Sequence, residues 1–92
     1  MEVVKDLQRQ IAVHEDMRAY KELYMLLFDG LHRFSFSLVK SREGAEEIVS
    51  DVFIKLWQIR SQLLQIDNLK AYLYTTARNF SLNYIEKNAR NP

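Results

Sequence analysis

Between Tyr20 and Leu38 the apolar side chains fall at Tyr20, Leu23, Tyr24, Leu27, Phe28, Leu31, Phe34 and Leu38, the i, i+3, i+4, i+7 spacing of one helix face. The spacing returns at Ala45, Ile48, Val49, Val52, Phe53, Leu56 and Trp57, and again at Leu69, Tyr72, Leu73, Ala77, Phe80 and Tyr84. A weaker pattern from Val4 to Val13 extends it upstream, as a separate or a continuous helix. Only two Gly and one Pro occur in 92 residues, so the helices should be long and their breaks few. No stretch alternates with the period of two that a half-buried strand shows. The predicted helices cover about 4–13, 16–40, 42–60 and 68–90. The fold class is therefore all-α, a small antiparallel bundle of three to four helices forming one domain over residues 1–92.

The breaks fall at Ser41-Arg42-Glu43-Gly44 and at about 61–68. Ser41 is the predicted N-cap of the helix that follows, with Glu43, Glu46 and Glu47 at the positive end of its dipole. Asp67 or Asn68 should cap the last helix. The second break contains Gln62-Leu63-Leu64-Gln65-Ile66, apolar for a loop. It either packs back on the bundle or shapes a pocket.

Catalysis finds little support in these residues. There is no cysteine, hence no disulfide and no thiolate metal site, which fits a reducing cytoplasm. His14 and His32 are not in a metal-ligand spacing, and Glu46 and Glu47 project about 100° apart instead of converging as an acid/base pair. No glycine-rich phosphate loop occurs. A non-enzymatic chain without cofactor or metal is predicted. No apolar run approaches 20 residues and the N-terminus is acidic and polar, so neither membrane insertion nor a signal peptide is expected.

The net charge of +1 hides an uneven distribution. Residues 41–58 carry Arg42 and Lys55 against Glu43, Glu46, Glu47 and Asp51; residues 69–92 carry Lys70, Arg78, Lys87 and Arg90 against Glu86 alone. An acidic middle and a basic end suggest two partners, or two faces of one assembly, beside the plainer reading of solvated surface. Opposite the apolar stripe of the 42–60 helix lie Glu47, Ser50, Asp51, Ile54, Lys55 and Gln58, a carboxylate-rich face with an apolar anchor that suits a basic helical partner. In the last helix aromatic, amide and basic residues interleave. Aromatic faces accept stacked bases, Asn amides read base edges, and Lys or Arg neutralise phosphate. Tyr72, Phe80 and Tyr84 share the apolar stripe and read first as core. Tyr74, Arg78 and Asn79 fall off it, and Asn79 should point away from the bundle toward the preceding loop.

The stretch AEEIVSDVFIKLWQ (45–58), followed after a short loop by LKAYLYTTARNFSLNY (69–84), resembles region 2 of the extracytoplasmic-function sigma factors. YKELYMLLFDGLHRFSFSLV (20–39) is similar to their opening segment, so the likeness covers about residues 15 to 90. It implies a cytoplasmic promoter-recognition domain of bacterial RNA polymerase. By position, Glu47, Ser50, Asp51, Ile54 and Gln58 would face the clamp helices of the polymerase β′ subunit. The last helix and its preceding loop would open the minus-ten element and capture a flipped non-template base. Leu63 and the loop through Asn68 would wall the pocket, with Tyr74 and Asn79 beside the base. Arg78, Asn83, Lys87 and Arg90 would follow the phosphates. An anti-sigma factor is a further partner that the resemblance implies.

Three departures stand out. Ser50 occupies a place where many relatives carry Gln, and Asn83 one where they often carry Asp. Tyr72 and Leu73 replace the tryptophan pair of housekeeping sigma factors, which implies weaker melting. The helix-turn-helix domain of the family (region 4) is absent from this chain, which implies an isolated domain of a longer protein. A DNA-binding helix-turn-helix would need shorter helices and a tight turn. A helical adaptor that binds only protein would account for the bundle and the acidic face, but not for the Tyr-, Asn- and Arg-bearing last helix.

Overall fold

A computed structural model describes residues 3–90 of the chain. Four α-helices form in order: α1 (Val3–His14), α2 (Met17–Val39), α3 (Arg42–Gln58) and α4 (Leu69–Arg90). A 3₁₀ turn, Arg60–Gln65, lies between α3 and α4. No strand occurs among the described residues. The all-α bundle read from periodicity is the fold.

The helix bounds lie within two residues of the predicted ones, the widest gap being the end of α3, which stops at Gln58 instead of residue 60. Its last turn is followed by 3₁₀ geometry, with Gln62 N–H bonding Ile59 O at 2.8 Å. Side-chain caps explain the other starts. Asp16 accepts from the N–H groups of Arg18 and Ala19, and Ser41 Oγ accepts from Gly44 N–H. Of the two candidate caps for α4, Asn68 is the one in place, its Oδ1 accepting from Ala71 N–H at 3.0 Å. The stop of α2 is Lys40, left-handed at φ 59° with its N–H on Phe36 O.

Leu23, Leu27 and Leu31 of α2, Ile48, Val49, Val52, Phe53 and Leu56 of α3, and Leu69, Leu73 and Ala77 of α4 fill one core. Leu7 and Ile11 close it from α1, and Leu63 from the turn. The two glycines mark close approaches that the core requires. A Cβ on Gly30 would overlap the Tyr74 hydroxyl, and one on Gly44 would overlap the ring of Tyr84. Tyr74 therefore packs over the middle of α2, and Tyr84 over the start of α3. Consecutive helices α2, α3 and α4 accordingly run up, down and up.

A ladder of half-buried aromatics follows the α2–α3 seam. Tyr20 meets Trp57 edge-on at 5.1 Å, Tyr24 lies 4.8 Å from Phe53, and Phe28 stacks between Tyr24 and His32. Trp57 is only half-buried, a correction to its expected place in the core, and its outer face carries the Arg60 guanidinium at 4.4 Å. Tyr20 Oη donates to Phe53 O at 2.7 Å. Burial, reinforced by the neighbouring Tyr24, raises the Tyr20 hydroxyl above its ordinary value of 10.0. Folding thus favours the protonated form. The stabilisation is full below the unfolded-state value and is lost as pH rises through the folded-state value. Urea midpoints are expected to fall as pH rises past about 10, the ordinary tyrosine value, and less steeply in Tyr20→Phe. Equal slopes in both proteins would count against this role for Tyr20.

Candidate functional site

On α3, Glu47, Asp51, Ile54 and Gln58 recur at steps of four, three and four, which places them in one row along the helix. All four are exposed, Ile54 by 52% despite its apolar side chain. The row forms one wall of an open groove of about 390 Å³ whose other wall is α4, with Phe80, Asn83, Tyr84 and Lys87. Lys55 reaches over the Phe80 ring, its Nζ 5.9 Å from the centroid. Ser50, the fifth residue predicted for this surface, is exposed but rotated about 100° back from Asp51, and it does not line the groove.

The residues predicted to meet DNA do not form one surface. Asn68 and Tyr74 come together with Lys70 and Ala71 around a shallow concavity of about 430 Å³ at the start of α4. Tyr74 is half-buried, its ring 5.4 Å from Phe34 and its hydroxyl end over Gly30, so it is more tightly held than its place off the apolar stripe suggested. Asn68 spends its side-chain oxygen on the helix cap, which leaves the NH2 group to offer to a base. Arg78, one turn beyond Tyr74, is exposed on the same side of α4. Asn79 is exposed as expected, but it sits eleven residues beyond Asn68, about 16 Å along the axis, and about 140° around from Tyr74. It does not stand beside the loop.

One further prediction needs correction. Leu63 is 0% exposed and belongs to the core, so it presents no surface to a base; Leu64, 58% exposed, is the residue of the turn that faces outward. Asn83 and Lys87 line the groove opposite Glu47 and Asp51, a place shared with the α3 row and not with the concavity. The side chain of Arg90 lies outside the described residues.

Periodicity did not single out the groups that hold the second break in shape. Gln8 of α1, buried at 5% exposure, donates from its one amide nitrogen to Leu63 O and Ile66 O. Arg60 pairs with Glu15 at 3.2 Å and donates to Trp57 O at 2.8 Å. A Gln on an apolar face was the only available sign of the first, and nothing local marked the second.

A wholly helical bundle with one carboxylate-lined groove and a separate amide-, tyrosine- and lysine-bearing concavity has the build of a binding module with two faces. The family model described as Sigma-70 region 2 matches residues 23–91, and the chain belongs to that family. Its role is that of a sigma factor domain in promoter recognition, a non-enzymatic DNA-binding part of transcription initiation whose partners are the RNA polymerase core and promoter DNA. No curated protein and no solved structure matches the chain. No helix among the described residues is long and apolar enough to cross a membrane.

Proposed function

We propose that the chain is the region 2 domain of an extracytoplasmic-function sigma factor, which docks on the clamp helices of β′ and melts the minus-ten element of a bacterial promoter. The observation that carries this reading is the separation of two chemically different surfaces on one rigid bundle: the Glu47–Asp51–Ile54–Gln58 row and the concavity of Asn68, Lys70 and Tyr74. Carboxylates flanking an exposed isoleucine suit a basic partner helix with an apolar contact, and Ser50 extends that surface on its far shoulder. Because Asn83 and Lys87 share the groove with these acids, they are assigned to the docking side. The strand's track then runs from the concavity along Arg78 and Asn79 on the outer side of α4, with Leu64 facing it from the turn. An anti-sigma factor covering the docking groove would hold such a domain inactive in the cytoplasm.

The test is a titration against single-stranded oligonucleotides that differ at each minus-ten position, at two salt concentrations. Arg78 is exposed and cationic, so Arg78→Ala is expected to weaken every sequence alike and to reduce the salt slope by roughly 0.7. Asn79→Ala should leave the slope alone and cost roughly 1–3 kcal/mol of discrimination at one base position. A wild-type chain that prefers duplex over single strand, or an Asn79→Ala variant that weakens all sequences equally, would sink the base-capture reading.

A further inference from the structure

The turn between α3 and α4 is held from the side by α1. The turn is tied to its flanks by Gln62 N–H to Ile59 O at 2.8 Å and Ile66 N–H to Leu63 O at 3.0 Å. Short 3₁₀ turns have poorer hydrogen-bond geometry than an α-helix and rely on outside contacts. α1 packs along the turn more extensively than α3, which meets it through Trp57 and Arg60. At the centre of that contact the Gln8 amide gives one hydrogen to Leu63 O at 2.6 Å and the other to Ile66 O at 2.9 Å, across 55 and 58 residues of chain. Both acceptors are main-chain carbonyls, so the pair needs a group with two N–H donors, which the neutral Gln8 amide supplies without burying a charge. Leu63 O accepts twice, from Gln8 and from Ile66 N–H. Ile66 leads directly to Asn68, the cap of α4 and one rim of the concavity. The other end of the turn is gripped by Glu15, just past α1, through Arg60. All of these holding groups precede residue 23, where the family match begins.

We propose that Gln8 is a positioning residue for strand capture: its buried amide fixes the path from Leu63 to Ile66, and so sets where Asn68 and Lys70 stand at the mouth of the concavity. At 5% exposure Gln8 has almost no surface to offer DNA, and its effect passes through the main chain of the turn. The proposal rests on the base-capture reading above.

Two variants of the full chain separate it from a general loss of fold. Gln8→Met keeps the volume and removes both donors; Gln8→Asn keeps the amide but is one methylene too short to reach both carbonyls. Hydrogen exchange is measured at the amides of residues 62–67 and at those of α2 and α3. In parallel, the affinity ratio is measured between minus-ten oligonucleotides that differ at one base. The expected result is exchange roughly tenfold or more faster at 62–67, with α2 and α3 amides near their wild-type rates. The affinity ratio should fall severalfold while the salt dependence is unchanged, since no phosphate contact is lost. The proposal is overturned if 62–67 exchange as slowly as in wild type, if every amide accelerates together, or if the turn opens while the ratio stays at its wild-type value. A wild-type chain with no base preference defeats the base-capture reading and the DNA half of this proposal, and the exchange pattern still decides whether Gln8 sets the turn. Should Gln8→Met fail to fold, Gln8→Asn carries both measurements.

Discussion

Phe53→Ala is expected to cost roughly 3–5 kcal/mol, close to the whole stability of a domain of this size. Phe53 is 1% exposed and lies at the meeting of α2 and α3, with the Tyr24 ring at 4.8 Å and the Tyr20 ring at 6.0 Å. Truncation removes an aromatic side chain from a fully buried, close-packed site, and the surrounding core cannot close completely on the gap. The Tyr20 hydroxyl bond survives the change, because its acceptor is the Phe53 main-chain carbonyl. Trp57→Ala should be milder, about 1–2 kcal/mol, since that ring is only partly covered and the Arg60 stack it would lose is likewise partly exposed. Urea unfolding followed by circular dichroism ranks the two. A Phe53→Ala protein within 1 kcal/mol of wild type, or a Trp57→Ala protein that is the less stable of the pair, would mean that the core is centred elsewhere.

That contrast also shows what sequence alone carries. Helical periodicity placed Leu23, Leu27, Leu31, Ile48, Val49, Val52, Leu69, Leu73 and Ala77 correctly, because a 3.6-residue period maps directly onto one face of a rod. It could not rank Phe53 against Trp57, since both lie on the α3 stripe and only the crossing of α2 decides which is covered. The groove was invisible for the same reason. Glu47 and Asp51 could be read as one row, but the pairing of that row with Asn83 and Lys87 depends on how α3 packs against α4. Leu63 was misplaced because a loop residue carries no period; its burial comes from α1, more than fifty positions away. Ser35 and Ser81 are fully buried small polar residues that hydropathy sorts to the surface. The caps at Ser41 and Asn68, by contrast, are local hydrogen-bond chemistry and were legible.

Asp51→Arg is expected to weaken binding to a β′ clamp-helix fragment by at least a hundredfold while leaving the fold intact. Asp51 is exposed and one residue away from core-facing Val52, so the longer side chain meets solvent and not the core. In the free protein the groove balances Glu47 and Asp51 against Lys55 and Lys87; reversal leaves it with three cations and one carboxylate. Like-charge juxtaposition in an interface costs several kcal/mol, and each 1.4 kcal/mol is tenfold in affinity. Asp51→Asn, which removes attraction without adding repulsion, should fall between wild type and Asp51→Arg. The gap between the variants should narrow at high salt, because charges at an open groove are screened within about 10 Å at 0.1 M. Ile54→Ala supplies the opposite control: it removes apolar contact and no charge, so its loss of affinity should barely respond to salt. Isothermal titration at two salt concentrations, with circular dichroism to check the fold, makes the comparison. If folded Asp51→Arg binds the fragment as tightly as wild type, the α3 row does not face the polymerase. If Asp51→Arg and Ile54→Ala lose affinity with the same salt dependence, the carboxylates line the contact without steering it, and the groove's recognition is apolar.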